Sequence, residues 1–132
     1  MYVDTNVIIA FMDEKDPNHR RAIDLLSKSK DKTSSFLTLV ELASVYSRAD
    51  LENPQALAIY SMEEAGIELS EVDFSDVLKM ALGITEKVRL RILDLLHIAS
   101  CSLLGEKEFL TFDNEILKRR DMIKELDIEV IG

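Results

Sequence analysis

Four acidic residues stand at positions where they could share one metal site: Asp4, Glu41, Asp94 and Asp113. Asp4 and Asp113 each follow a short hydrophobic run typical of a buried strand, and Glu41 lies in the predicted first turn of a helix that follows another. Oxygen ligands of this kind suit Mg²⁺ or Mn²⁺ better than Zn²⁺. Because Mg²⁺ usually shares its remaining coordination positions with water and substrate phosphate, the pattern predicts phosphodiester hydrolysis assisted by one or two metal ions.

Asp94 differs from the other acids because it lies within an almost entirely apolar predicted helix, Ile92–Leu104. A buried carboxylate is costly unless a cation compensates its charge. The structural alternative is a first-turn acid favoured by the helix dipole and paired with Arg91 or His97. Of the two interpretations, the apolar surroundings favour a functional role for Asp94.

Each of the other three acids has an equally good structural alternative when taken singly. Asp4 and Asp113 are suitable N-caps for the helices that follow them. Thr38 and Glu41 match a capping box, in which Glu41 would accept a hydrogen bond from the Thr38 amide. The combination of four acids favours a metal site, since carboxylates on one edge of a sheet repel one another unless a cation is present.

The elements that would position these acids alternate between short strands and amphipathic helices. The predicted strands are Tyr2-Val3, Ser35–Leu37, Ile67–Leu69, Phe109–Thr111 and Ile128–Val130, and the predicted helices span about 5–12, 18–30, 39–49, 54–66, 73–86, 92–104 and 114–121. This alternation predicts one three-layer α/β/α domain over residues 1–132, with a parallel sheet of about five short strands and helices on both faces. Functional groups of such sheets gather at the carboxyl ends of the strands.

The composition excludes several classes of protein. A net charge of −9 excludes a protein that grips nucleic acid through a broad basic surface. The absence of Trp leaves little material for a base-stacking platform, and the single cysteine, Cys101, excludes an internal disulfide and a Cys-based zinc site. Asp4 and Asn6 interrupt the first apolar run, so neither a signal peptide nor a membrane span is predicted there. The single cysteine indicates a reducing compartment, so we expect a cytoplasmic protein.

Four segments of the chain resemble, in order and spacing, the motifs of PIN-domain ribonucleases, and most of all the small prokaryotic toxins of the VapC type. The segments are Met1–Asn6, Thr38–Ala43, Leu93–Ala99 and Leu110–Asp113, so the resemblance covers the whole chain. It implies a PIN fold and cleavage of RNA that depends on Mg²⁺ or Mn²⁺. It also implies a small antitoxin protein as partner and a homodimer.

The same resemblance implies roles for individual residues. Asp4, Glu41, Asp94 and Asp113 would hold the metal, and Thr5, Asn6 and Thr111 would orient a carboxylate, a water or a phosphate. Some relatives carry a further acid after the position of Asp113, which leaves the contribution of Glu115 open.

The remaining candidate residues are basic clusters and one histidine. Arg89 and Arg91 precede Asp94, and Lys118 and Arg119 follow Asp113 on the same predicted helix, so the four could contact RNA phosphates. Solvated helix faces are the ordinary interpretation of such clusters. His97 lies one turn after Asp94, either as a partner of the site or as a packed helix histidine, and the packed interpretation is favoured.

Three other classes of protein fit the sequence poorly, and two alternatives stay open. Dehalogenase-type phosphatases and response-regulator receivers need acids that this chain does not place after its strands, and a flap-type nuclease needs modules for which 132 residues leave no room. A non-catalytic protein that docks a basic partner, and a stand-alone PIN nuclease of RNA processing, remain as alternatives. Metal binding separates the non-catalytic protein from a nuclease, because helix caps need no dication.

Overall fold

The computed structural model describes residues 1–132, which form five short strands and eight helices. The strands are β1 (Tyr2–Val3), β2 (Thr33–Ser34), β3 (Glu68–Leu69), β4 (Glu108–Leu110) and β5 (Glu129–Ile131). The helices are α1 (Thr5–Met12), α2 (His19–Ser27), α3 (Phe36–Arg48), α4 (Pro54–Glu64), α5 (Phe74–Val88), α6 (Ile92–Leu103), α7 (Asn114–Leu117) and α8 (Arg120–Lys124). None of these helices combines the length and the hydropathy that crossing a membrane requires.

The five strands form one parallel sheet in the order β3-β2-β1-β4-β5. The chain builds the sheet outward from β1 through β2 to β3, then returns to place β4 on the other side of β1. The strand order therefore reverses between β1 and β4, where Tyr2 pairs with Phe109 and Val3 with Leu110. In open parallel sheets, this reversal point is where ligands bind.

Alternating side chains on the two central strands divide the core into two clusters. Tyr2 and Phe109 pack with apolar residues of α5–α8, whereas Val3 and Leu110 pack with those of α1–α4. This period of two is what a strand buried on both faces requires. The predicted three-layer α/β/α architecture, with helices on both faces of the sheet, is confirmed.

The start of α3 differs from the prediction. The sequence indicated a strand at Ser35–Leu37, but β2 ends at Ser34 and the helix begins at Phe36 with Ser35 as its N-cap residue. A run of three residues is too short for its periodicity to distinguish strand from helix. Glu41 therefore lies in the second turn of α3, and the predicted capping box of Thr38 and Glu41 is wrong.

The predicted helix 114–121 is divided into α7 and α8, which are separated at Lys118 and Arg119. Both Ile116 and Ile123 are completely buried in the cluster that covers the α5–α8 face. The break redirects the chain so that both side chains reach this cluster. The sequence predicts that Lys118 and Arg119 share one helix with Asp113. The structure instead places them between α7 and α8.

Candidate active site

The carboxyl ends of β1 and β4 bring together two acids that also cap helices. Asp4 Oδ1 accepts a hydrogen bond from the Thr5 amide at 2.8 Å, and Asp113 Oδ1 accepts one from the Glu115 amide at 2.8 Å. The capping interpretation of both residues is therefore confirmed. It does not compete with a role in a site, because a capping hydrogen bond uses only one of the several lone pairs that an ionised carboxylate offers.

A polar network joins the ends of the two central strands. Thr111 Oγ1 donates to Asp4 Oδ2 at 2.8 Å and accepts from the Asp113 amide at 3.0 Å. Asn6 Nδ2 also donates to Asp4 Oδ2, at 3.0 Å, while Asn6 Oδ1 accepts from the Phe112 amide at 3.0 Å. The side chains of Thr111 and Asn6 thus fix the position of Asp4 relative to the chain segment that carries Asp113.

Glu41 and Asp94 reach the same place from α3 and α6, and their surroundings differ. Glu41 Oε1 accepts hydrogen bonds from Thr5 Oγ1, at 3.2 Å, and from His97 Nε2. Asp94 Oδ2 is buried without any hydrogen-bond partner. Its closest cation is the Arg91 guanidinium, whose Nε lies 3.9 Å away on a side chain that is 82% exposed.

All four acids line one cleft of about 420 Å³, together with Thr5, Asn6 and Arg91. Thr111 is buried and meets the site through its hydrogen bonds to Asp4 and Asp113. The other basic candidates do not line the cleft: Arg89 Nε donates to the Glu86 carbonyl, Lys118 pairs with Glu115, and Arg119 is half-buried. Glu115 also lies outside the cleft.

His97 belongs to the site, although the sequence favoured a packed helix histidine. It is buried, as that interpretation requires, but its Nε2 bonds to Glu41 and lies 3.9 Å from Asp4 Oδ1. Its spacing of three residues from Asp94 was the signal that pointed to a shared helix face. Tyr2, which bonds to the other ring nitrogen of His97 at 2.8 Å, was not singled out by any sequence pattern.

The pKa values of the acids shift in opposite directions, because burial and mutual repulsion raise those of Asp94 and Asp4, whereas His97 and Thr5 lower that of Glu41. Burial and the charges of Asp113 and Asp4 raise the pKa of Asp94 from 3.8 to about 6. Burial, together with the charge of Glu41, also raises the pKa of Asp4, although His97 and Thr111 partly offset the increase. For Glu41, burial is outweighed by the hydrogen bonds and charge of His97 and by Thr5, which lower its pKa.

These features fit a hard divalent cation. The cleft offers carboxylate oxygens from four residues, and oxygens of Asp4 and Glu41 lie within 4.8 Å of each other. The buried Asp94 Oδ2 has no hydrogen-bond partner in the protein, which is the condition that a cation would relieve. Oxygen donors of this kind match Mg²⁺ and Mn²⁺.

A comparison with protein families agrees with the parallel α/β/α fold and the acidic cleft at the ends of its central strands. The family model described as "PIN domain" matches residues 1–122. The chain therefore belongs to the PIN domain family. A sequence search of curated proteins gives no match.

Solved structures similar to this chain include a toxin–antitoxin complex and a toxin. A toxin–antitoxin complex from Klebsiella pneumoniae is 15% identical with a TM-score of 0.71, and the alignment covers 99% of this chain and 95% of the other. The Mycobacterium tuberculosis toxin VapC20, described as cleaving the sarcin–ricin loop, is 16% identical with a TM-score of 0.71 over 89% and 92% of the two chains. VapBC2 from Rickettsia felis, bound to promoter DNA, is 16% identical with a TM-score of 0.64 over 99% and 98%. At these identities, the likeness establishes the fold.

Proposed function

We propose that this protein is an endoribonuclease that depends on Mg²⁺ or Mn²⁺ and acts as the toxin of a toxin–antitoxin pair. The observation that carries the proposal is the convergence of Asp4, Glu41, Asp94 and Asp113 in one cleft, with a buried oxygen of Asp94 left without a hydrogen-bond partner. Helix capping explains Asp4 and Asp113, but it explains neither Glu41 nor Asp94. A metal site accounts for all four acids.

In the proposed mechanism, the four acids hold the cation and their neighbours hold the acids. Thr111 and Asn6 orient Asp4, while Thr5 and His97 orient Glu41. When bound, the cation supplies Lewis-acid chemistry, which makes water a stronger nucleophile and stabilises negative charge on the reacting phosphate. Because the acids come from both central strands and from helices on both faces of the sheet, their separation is set by the rigid core.

The proposed substrate and partners are based on the family, on a basic residue that lines the cleft and on the similar solved structures. RNA is proposed as the substrate because the four motif segments resemble those of PIN-domain ribonucleases, and Arg91 offers one cation at the edge of the cleft. A small antitoxin is the proposed partner, since several proteins of this fold have been solved as toxin–antitoxin complexes. A homodimer and a cytoplasmic location remain predictions.

A calorimetric titration with Mn²⁺ tests the metal site without any assumption about the RNA. We expect saturable binding by the wild type and binding weakened by about tenfold or more in Asp94→Asn, because the variant replaces a ligand oxygen and removes a charge. The matched control is Asp76→Asn, which changes an exposed first-turn acid of α5 that lies outside the cleft. Equal losses in the two variants would mean that Asp94 is only a helix-dipole acid.

A wild type that binds no Mn²⁺ up to millimolar concentration, with and without an RNA oligonucleotide, would contradict the proposed nuclease. That result would favour the alternative of a non-catalytic protein whose acids cap helices and dock a basic partner. Once binding is established, cleavage is assayed on a panel of structured RNAs with Mn²⁺ and with a chelator added. We expect cleavage to stop when the metal is removed.

The position of Arg91 leads to a prediction about RNA binding. Arg91→Ala is expected to weaken RNA binding and to reduce the slope of log affinity against log salt by about one, which corresponds to one lost phosphate contact. Arg89→Ala is the matched control because Arg89 is exposed two residues away but does not line the cleft. Both slopes are measured by fluorescence anisotropy with a catalytically inactive background variant, Asp94→Asn. Equal changes in the two Arg variants would count against a contact specific to Arg91.

A further inference from the structure

A line of buried polar contacts leads from Glu41 into the core. Glu41 bonds to His97 Nε2, His97 Nδ1 lies 2.8 Å from the Tyr2 hydroxyl, and that hydroxyl lies 2.9 Å from Ser35 Oγ. Tyr2, His97 and Ser35 are each at most 2% exposed. Burial of so many polar groups is tolerated because every member of the line has a hydrogen-bond partner.

The hydrogen atoms of this line can be assigned from the donor and acceptor capacity of each group. An ionised Glu41 can only accept, so His97 Nε2 carries the hydrogen that the two groups share, whether the ring is neutral or charged. In the neutral ring Nδ1 is then the acceptor, and the Tyr2 hydroxyl donates to it while Ser35 donates to Tyr2. In the charged ring Nδ1 donates to the Tyr2 oxygen, and the ring keeps the same orientation.

The Tyr2 hydroxyl is itself fixed by packing. The Tyr2 ring stacks on Phe109 with centroids 5.3 Å apart and planes 8° apart, and it meets the His97 ring edge-on at 5.8 Å. Both Tyr2 and Phe109 lie on paired central strands, at register positions opposite each other. The central strands therefore determine where the Tyr2 hydroxyl lies, and the hydroxyl determines how the His97 ring is turned.

The Glu41 carboxylate ends a longer side chain than those of the three aspartates, so more rotatable bonds must be fixed to hold it in place. Its long side chain projects from the second turn of α3, and apart from His97 its hydrogen-bond partner is Thr5 Oγ1. We propose that Tyr2 and His97 are positioning residues that hold the Glu41 carboxylate ready for metal binding, an inference that rests on the proposed function. Groups that orient a metal ligand from behind are typically worth 10–100-fold in metal affinity or activity.

Calorimetric Mn²⁺ titration of Tyr2→Phe tests this inference. The variant removes one hydroxyl and keeps the ring that stacks on Phe109. We expect it to fold, as measured by thermal melting, and to bind Mn²⁺ about tenfold more weakly than the wild type. The matched control is Tyr46→Phe, which removes a buried hydroxyl bonded to Ser61 Oγ at 2.7 Å, between α3 and α4. Its Mn²⁺ affinity is expected to be unchanged despite a comparable loss of stability.

A spectroscopic measurement separates positioning from simple stabilisation. In protein labelled with ¹⁵N-histidine, long-range ¹H–¹⁵N spectra report the protonation pattern of each ring nitrogen. We expect the His97 signals to change in Tyr2→Phe, while those of His19, which contacts the Ala10 carbonyl instead, stay in place. The His19→Gln variant assigns the two sets of signals.

Several outcomes would overturn the inference while leaving the nuclease proposal intact. One is an Mn²⁺ affinity of Tyr2→Phe equal to that of the wild type and of Tyr46→Phe. Another is a loss in His97→Gln without any loss in Tyr2→Phe, which would mean that His97 acts without Tyr2. If Tyr2→Phe does not fold, Ser35→Ala and His97→Gln are titrated instead, and unchanged affinity in both overturns the inference. A wild type that does not bind Mn²⁺ contradicts the nuclease proposal itself.

Discussion

Replacing Asp94 with Asn is expected to reduce RNA cleavage by at least about a hundredfold. Losing a group that stabilises charge in the transition state, here by holding the cation, typically costs that much. The amide keeps the size of the side chain but cannot supply an anionic ligand. The loss is expected in the rate of cleavage under saturating RNA, because the substitution removes metal affinity rather than the RNA-binding surface. Single-turnover cleavage of a labelled RNA at fixed Mn²⁺ measures it.

Asp76→Asn is the control for this prediction, since Asp76 and Asp94 both occupy the first turn of a helix. The loss of a helix-dipole interaction is similar for the two variants, so it cancels in the comparison. Cleavage by Asp94→Asn at the rate of the Asp76→Asn control would remove Asp94 from the proposed catalytic machinery.

The same substitution is expected to stabilise the metal-free protein in a manner that depends on pH. The pKa of Asp94 is raised from 3.8 to about 6, so between these values the folded state binds more protons than the unfolded chain. The contribution of Asp94 to the free energy of unfolding therefore falls as pH rises through this window. Asp94→Asn removes this contribution, so the variant gains stability over the wild type as pH rises.

We expect the two proteins to have nearly equal stability near pH 4 and to differ by about 1–2 kcal/mol at pH 7, less than the full shift implies because the Asp94 side chain is partly exposed. Urea unfolding at several pH values, with a chelator present, measures this difference. A difference that does not change with pH would contradict the raised pKa.

Added metal is expected to narrow or cancel the difference in stability between the two proteins at pH 7. Mn²⁺ at a hundred times its dissociation constant stabilises a one-site protein by about 2.7 kcal/mol, provided that the unfolded chain does not bind it. The wild type should gain this stability, whereas Asp94→Asn with tenfold weaker binding should gain only about 1.4 kcal/mol. Stability is therefore compared with chelator and with Mn²⁺. The comparison tests whether the same site causes both the repulsion among the acids and the binding of metal.

A polar network and an aromatic stack support the acids at the ends of the central strands. Thr111 and Asn6 join the ends of β1 and β4, and Tyr2 stacks on Phe109 directly behind them. A site that must hold like charges close together before its cation arrives needs such support, because flexible acids would move apart.

Local features of the site could be predicted from the sequence because they depend on a few neighbouring residues. Asp4 and Asp113 cap α1 and α7 as expected, since a cap is formed between residues close in the chain. The alternation of strands and helices predicted the parallel sheet, and a parallel sheet places the ends of its strands at one edge. The four acids were accordingly predicted as a group, and the structure places all four around one cleft.

Two predictions failed because short apolar runs have no clear period. Ser35–Leu37 has the composition of a strand, yet the helix begins within it, and Glu41 lies one turn further along α3 than expected. The helix predicted over 114–121 was divided because the burial of Ile116 and Ile123 in one cluster depends on the distant surfaces against which they pack. Local propensity is a weak guide where tertiary packing decides.

The line from Tyr2 through His97 to Glu41 was decided by the tertiary structure alone. Its two contacting pairs, Tyr2 with His97 and His97 with Glu41, are 95 and 56 residues apart in the chain, and no spacing rule connects a first strand with a sixth helix. They meet because β4 returns to the side of β1 and α6 packs behind both strands. The sequence by itself determined which chemical groups are available and which local turns hold them. The strand order and the packing of the helices decided which of those groups touch, because distances between remote residues depend on how the whole core is filled.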